Sequence, residues 1–307
     1  MDTEIDKRGI YWFLALAFIP NIALSLISGS MQESTPNSLT PSVIHATLML
    51  GSLQESFADK IIIYNRLFLL AVMFFPGISA LIVRKFINKE FNDPMMRFGS
   101  WKPYLQVSLF IPLLYIIIYA ITGLFYPPDF TLKTFMTQAG IGEVPFDPSF
   151  FILVFFIFTL VVAPILNFIP AFGEEFGWRG YLLPKLLPLG REKALVISGI
   201  IWGLWHLPFV LLIDYGSYPN RIVGGLIFTA LITLLGIYIG VLALKNKSTL
   251  LASYMHGIFN AQDHGIWILI YPNYNHLIGG AEGLIGFVVL LPVAVYYLKK
   301  TEFDSSP

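Results

Sequence analysis

Residues 150–184 read FFILVFFIFTLVVAPILNFIPAFGEEFGWRGYLLP. From Phe150 to Gly173 no residue is charged; Glu174, Glu175 and Arg179 then follow inside a stretch that stays apolar. A hydrocarbon core about 30 Å thick is crossed by about 20 apolar residues in a helix, and this run exceeds that length. A helix that is apolar all round belongs in a membrane or in the core of a very large protein. The segment therefore reads as a membrane span that carries ionisable residues near one end.

Seven more apolar segments surround it, at roughly 10–28, 62–83, 104–126, 194–213, 222–244, 250–270 and 284–298. The 307-residue chain is 56% hydrophobic and 12% charged, with a mean hydropathy of +0.72. Soluble domains carry about twice that charge fraction. The expected fold is all-α: one membrane-embedded domain over 1–307, a polytopic bundle of about eight transmembrane helices. The first segment is too long for the apolar part of a signal peptide, and Asp2, Glu4 and Asp6 spoil the basic stretch that would precede one, so it reads as a retained anchor. Net charge is zero and no basic stripe appears, which argues against a nucleic-acid partner. Cysteine is absent, which removes thiol nucleophiles, disulfides and cysteine metal sites.

Lysine and arginine set the expected orientation. With the N-terminus in the cytoplasm, fourteen of them fall on cytoplasmic positions, among them Lys7, Arg8, Arg84, Lys89, Lys185, Arg191, Lys247 and Lys300. Three fall outside, namely Lys60, Lys133 and Arg221, and Arg66 and Arg179 lie in or beside helices. Both termini are therefore expected in the cytoplasm, and the chain in the plasma membrane of a prokaryote. The outside loops 29–61 and 127–149, with QESTPNSLTPS and YPPDF, read as irregular connections. Gly236 and Gly240 form a G-x-x-x-G that reads as a helix-packing face.

Ionisable residues within a span are costly and usually face a bundle interior or a wet cavity. Three clusters qualify: Glu174, Glu175 and Arg179; His206 in IIWGLWHLPF; and His256 with Asn260 in SYMHGIFNAQDHG. Measured at helical rise from the basic residue ending each segment, Glu174 lies about 16 Å from Lys185, His206 about 20 Å from Lys193 and His256 about 14 Å from Lys247. Three helices thus place carboxylate and imidazole at one depth. Glu175 and Arg179 are four apart and share a face, so they form an ion pair. Glu174 points about 100° away and is the carboxylate left for chemistry. His256 and Asn260 are also four apart and offer N–H donors where an oxyanion forms in acyl transfer. A carboxylate beside an imidazole activates water, and together these parts describe peptide hydrolysis. Asp263 and His264 continue the segment towards the site entrance. His45 and His276 lie in outside loops, where solvation is the simpler reading, and Trp202 and Trp205 read as packing or cavity wall. There is no H-E-x-x-H.

In order, E-E-x-x-x-R, aromatic-x-x-x-His and His-x-x-x-Asn on successive membrane segments resemble the CPBP family, the CAAX prenyl endopeptidases and bacteriocin-processing or immunity proteins also called Abi. Here the motifs read Glu174-Glu175-Phe176-Gly177-Trp178-Arg179, Trp202-Gly203-Leu204-Trp205-His206 and His256-Gly257-Ile258-Phe259-Asn260, within a core at about 150–270. The resemblance implies an intramembrane endopeptidase in which Glu174 and His206 activate water, His256 and Asn260 form the oxyanion site, and Glu175 and Arg179 support the first motif. Its partners would be the lipid bilayer and a membrane-associated protein or peptide, prenylated CAAX-type or leader-bearing. Trp202 departs from the family's more frequent Phe, which touches cavity shape. No cofactor is expected, because Asn is a poor zinc ligand. The alternatives are a zinc endopeptidase using the same Glu and His residues, a transporter, and a non-catalytic immunity protein.

Overall fold

A computed structural model describes residues 5–33, 68–90, 94–138 and 147–300. The 34–67 region, with His45 and most of the first long loop, lies outside the described residues. Among those described the chain is all-helical, with no strand. In chain order the elements are α1 (Lys7–Glu33), α2 (Phe68–Asn88), α3 (Trp101–Thr122), the short α4 (Lys133–Gln138), α5 (Pro148–Gly177), α6 (Arg191–Leu212), α7 (Arg221–Asn246), α8 (Thr249–Asp263), the short α9 (Ile266–Ile270) and α10 (Leu284–Lys299). Helix α5 runs on through a π-helical turn (Trp178–Leu182) to Leu189.

Each of the eight apolar segments is mostly helical over its described residues, but six are long and apolar enough to cross a membrane: α1, α2, α3, α5 with its extension, α6 and α7. The other two, α8 and α10, have 15 and 16 residues. The segment at 250–270 is divided because the chain turns through His264 and Gly265 before α9 begins. Inside the second long loop, read as irregular, Lys133–Gln138 is helical, with Asp129 accepting from the Thr131 and Thr134 N–H groups at 2.9 and 2.8 Å just before it.

Capping follows local chemistry. Asp147 accepts from Ser149 and Phe150 N–H with Pro148 at the first helical position, Asn220 opens α7, and Ser248 opens α8. One end of the bundle gathers Asp6, Asn88, Glu90 and Lys185 into a polar clasp, and Arg191 donates to the Leu298 carbonyl at 3.0 Å. Beside that end, the Ser248 hydroxyl donates to the Arg97 carbonyl. Lys185, Arg191 and Arg97, all assigned to the cytoplasm, thus share one end.

Helix α5 packs along α8 and α2, and α6 packs along α7. Two close approaches position the site. A Cβ on Gly173 or Gly177, which flank the Glu pair, would meet Met73–Phe74 or Pro76 of α2 within 3.0 Å, so α5 and α2 cross almost backbone to backbone. On the other side, Gly236 lies against Gly199 and under the Arg179 guanidinium, where its own Cβ would stand 3.2 Å from Nη2. The G-x-x-x-G is thus spent on packing α7 against α6 inside this chain.

Candidate active site

The site is assembled around Trp202. Glu174, near the end of α5, sends Oε2 to two indoles: Trp202 Nε1 donates at 2.8 Å and Trp178 Nε1 at 3.4 Å. Trp178 is four residues on in the same helix, whereas Trp202 comes from α6. Glu175 turns the other way. Its Oε1 accepts from Arg179 Nη1 at 2.8 Å and from His256 Nδ1 at 3.0 Å. Arg179 also donates to the Gly236 carbonyl at 3.4 Å and lies 4.1 Å over the Trp202 ring. Glu174, Glu175, Arg179 and His256 are 2, 0, 1 and 4% exposed. A charge so deep is tolerated only when paired, and here the pairing is between the two signs.

His206 is fixed one turn after Trp202. Its Nδ1 lies 2.8 Å from the Trp202 carbonyl. A carbonyl only accepts, so Nδ1 carries the hydrogen and Nε2 is left for whatever enters the cavity. The same reasoning applies to His256, whose Nδ1–H is taken by the Glu175 carboxylate and whose Nε2 is left over. Trp205 holds this part of α6 on α1, donating from Nε1 to the Ala17 carbonyl at 3.1 Å, while Asn21 Nδ2 donates to the Trp205 carbonyl at 2.7 Å.

A cavity of about 680 Å³, its open mouth included, is bordered by Trp202, His206, His256 and Asn260 together with Tyr215, Asp263 and Glu282. The rest of its wall is apolar, from Leu114 and Ile118 of α3, Phe228 to Leu235 of α7 and Leu290 of α10. The structure therefore brings His206, His256 and Asn260 to one cavity. Glu174 and Glu175 do not line it. They stand behind Trp202 and His256, each one hydrogen bond removed. Glu175, expected as the partner of Arg179 alone, also orients His256.

Several functional side chains escaped the sequence reading. Trp202 is expected from the sequence only as packing or cavity wall, yet its N–H group, with that of Trp178, binds Glu174; a Phe at 202 has no such donor. Glu282 sits between the last loop and α10, and its lone acid in GGAEGLIG was the available signal. Burial, then the nearby Asp263, pushes its carboxyl up to about 8. Asp263 accepts from the Tyr115 hydroxyl at 2.5 Å. His276 is stacked on Tyr274 at 4.3 Å and does not line the cavity.

The donor set can be tested against zinc. Among the described residues no three His, Cys, Asp or Glu side chains are grouped to hold a metal ion. Hydrogen-bond donors already take Glu174 Oε2 and Glu175 Oε1, and the Nδ1 atoms of both histidines are engaged. That leaves both imidazole Nε2 atoms and the second carboxylate oxygens of Glu174 and Glu175 as the remaining donors.

Comparison with known proteins agrees with the motifs. Residues 148–262 match the family described as Type II CAAX prenyl endopeptidase Rce1-like. Over 92 residues the chain is 38% identical to a CAAX prenyl protease 2 of Methanococcus maripaludis, a match covering 28% of this chain and 34% of the relative. The chain thus matches about a third of the length of that curated relative. All six motif residues, from Glu174 to Asn260, lie inside the matched region, and residues 148–262 are recognised as a Type II CAAX prenyl endopeptidase Rce1-like segment, the family that the three ordered motifs resemble.

Proposed function

We propose that the chain is an intramembrane endopeptidase that cleaves a membrane-associated protein or peptide, of the prenylated CAAX or leader-bearing kind, with water activated by Glu174 and His206 and no metal. The observation that carries this reading is the meeting of three separate helices at Trp202. Its indole binds Glu174 and its carbonyl fixes His206, and its ring lies 5.2 Å from that of His256.

In this reading the substrate carbonyl lies in the cavity against Asn260 and His256. Water attacks the carbonyl carbon as its proton passes to His206 Nε2, and Glu174, which stands behind Trp202, shares that proton when its carboxylate turns past the indole to the cavity. The oxyanion is held by the Asn260 amide N–H and by His256, which donates from Nε2 when both ring nitrogens carry hydrogen and the Glu175 carboxylate balances the charge. Collapse breaks the C–N bond, and the proton taken from water is returned to the leaving amine. Arg179 keeps Glu175 in place. The apolar wall suits a substrate already dissolved in the bilayer. The same reading places both termini in the cytoplasm of a prokaryotic cell, with the polar clasp at that face.

The test is cleavage of an internally quenched, farnesylated peptide ending in a CAAX sequence, in detergent. Wild type cleaves it and Glu174→Ala and Glu174→Gln do not, with an unchanged thermal midpoint. EDTA or phenanthroline leaves the wild-type rate unchanged. Full inhibition reversed specifically by zinc would overturn the metal-free reading.

A further inference from the structure

Tyr215 lies on the segment 213–220 between α6 and α7, at the wall of the cavity. That segment is held firmly. Tyr215 N–H donates to the Phe209 carbonyl at 3.1 Å, the Tyr218 hydroxyl donates to the Glu282 carbonyl at 2.8 Å, and Arg221 Nε donates to Asp214 at 3.1 Å. Tyr115, the other tyrosine on the cavity wall, spends its hydroxyl on Asp263, and beyond the wall Tyr218 and Tyr271 donate to the Glu282 and Tyr119 carbonyls. The Tyr215 hydroxyl has no hydrogen-bond partner among the described residues. Tyr215 is only partly buried, so its hydroxyl is open to whatever occupies the cavity.

What that hydroxyl meets follows from its neighbours. Burial first, then the Glu282 and Asp263 carboxylates, hold the phenol well above its ordinary value, so it is an O–H donor at any working pH. The cavity wall carries Glu282 and Asp263 and no lysine or arginine. Nothing on it would balance an anionic acceptor, and a neutral carbonyl fits. The Tyr215 ring packs on Phe228 at 5.7 Å, and Phe228 packs on His206 at 5.5 Å. Two such ring steps equal about three residues of extended chain at about 3.5 Å each.

We propose that the Tyr215 hydroxyl is a substrate-binding donor that holds a backbone carbonyl of the cleaved peptide within about three residues of the scissile bond. This rests on the endopeptidase reading. It adds that specificity here comes from gripping the peptide backbone, and that a free carboxylate at this position is rejected.

The experiment compares wild type, Tyr215→Phe and Glu174→Gln on the same quenched farnesylated peptide, with thioamides, which are weak acceptors, introduced one at a time at the neighbouring peptide bonds. Tyr215→Phe should raise KM about tenfold with kcat and thermal midpoint unchanged, the pattern of binding lost equally from ground and transition states. One thioamide should weaken wild type by a similar factor and leave Tyr215→Phe unaffected, because the two changes remove the same bond. An unchanged KM, a fall in kcat alone, or thioamide effects equal in both proteins would overturn the proposal while leaving the endopeptidase reading intact. Should Tyr215→Phe not fold, the wild-type thioamide series decides: no sensitive bond within three residues overturns it. A wild type that cleaves nothing removes the endopeptidase reading, and this inference with it.

Discussion

Removing Glu175 strands two partners at once. Its Oε1 takes Arg179 Nη1 at 2.8 Å and His256 Nδ1 at 3.0 Å, all within a site sealed from solvent. In Glu175→Ala, Arg179 is left with a 3.4 Å bond to the Gly236 carbonyl and the face of Trp202. Neither neutralises a guanidinium in low dielectric. Breaking a buried pair by deleting one member costs about 3–5 kcal/mol. At about 2–4 °C per kcal/mol for a chain of this order of size, the thermal midpoint should fall by roughly 6–20 °C. Intrinsic fluorescence in detergent reports it directly, because Trp178, Trp202 and Trp205 pack at this point. Glu175→Gln, which keeps an acceptor oxygen but not the charge, should fall between wild type and Ala. The double variant Glu175→Leu with Arg179→Met should recover most of the loss, since it removes both charges and leaves unmade the His256 bond and the long Gly236 bond, each worth about 1 kcal/mol or less. A midpoint within 2 °C of wild type for Glu175→Ala, or a double variant less stable than the single, would refute the reasoning.

Three other outcomes are expected. Trp202→Phe keeps the ring over Arg179 but deletes the donor to Glu174, and a hydrogen bond to a charged group is worth about 1.5–3 kcal/mol, so kcat/KM should fall about 10–100-fold; Trp205→Phe, whose indole bonds Ala17, should instead lower the thermal midpoint and spare the rate. Asn260→Ala should lower kcat by about 10²–10³ while peptide binding persists, and a wild-type rate would remove Asn260 from the oxyanion site. Reporter fusions after Lys89 and after Lys300 should both signal cytoplasm, and an external signal at either would reverse the topology.

The sequence alone determined what depends on composition and on spacing within one helix. Unbroken apolar length made the chain a helical membrane bundle, because an unpaired backbone in hydrocarbon leaves few alternatives. Four-residue spacing made Glu175 the partner of Arg179 and turned Glu174 away from it, and both relations hold in the structure. Ordered motifs pointed to the family whose description residues 148–262 match. The tertiary structure decided everything that depends on how helices are rotated and tilted against each other. Only there does His256 reach Glu175 across 81 positions, and only there does the Trp202 indole meet Glu174. The same holds for Asp263, Glu282 and Tyr215, which come from three separate stretches to one cavity wall. The break at His264 and Gly265 also stayed hidden, since an apolar run continues through it. Helical periodicity specifies which residues share a face; which neighbour that face meets is set by close approaches such as Gly173 on α2 and Gly236 on Gly199, where backbones touch and every side chain above them takes its place.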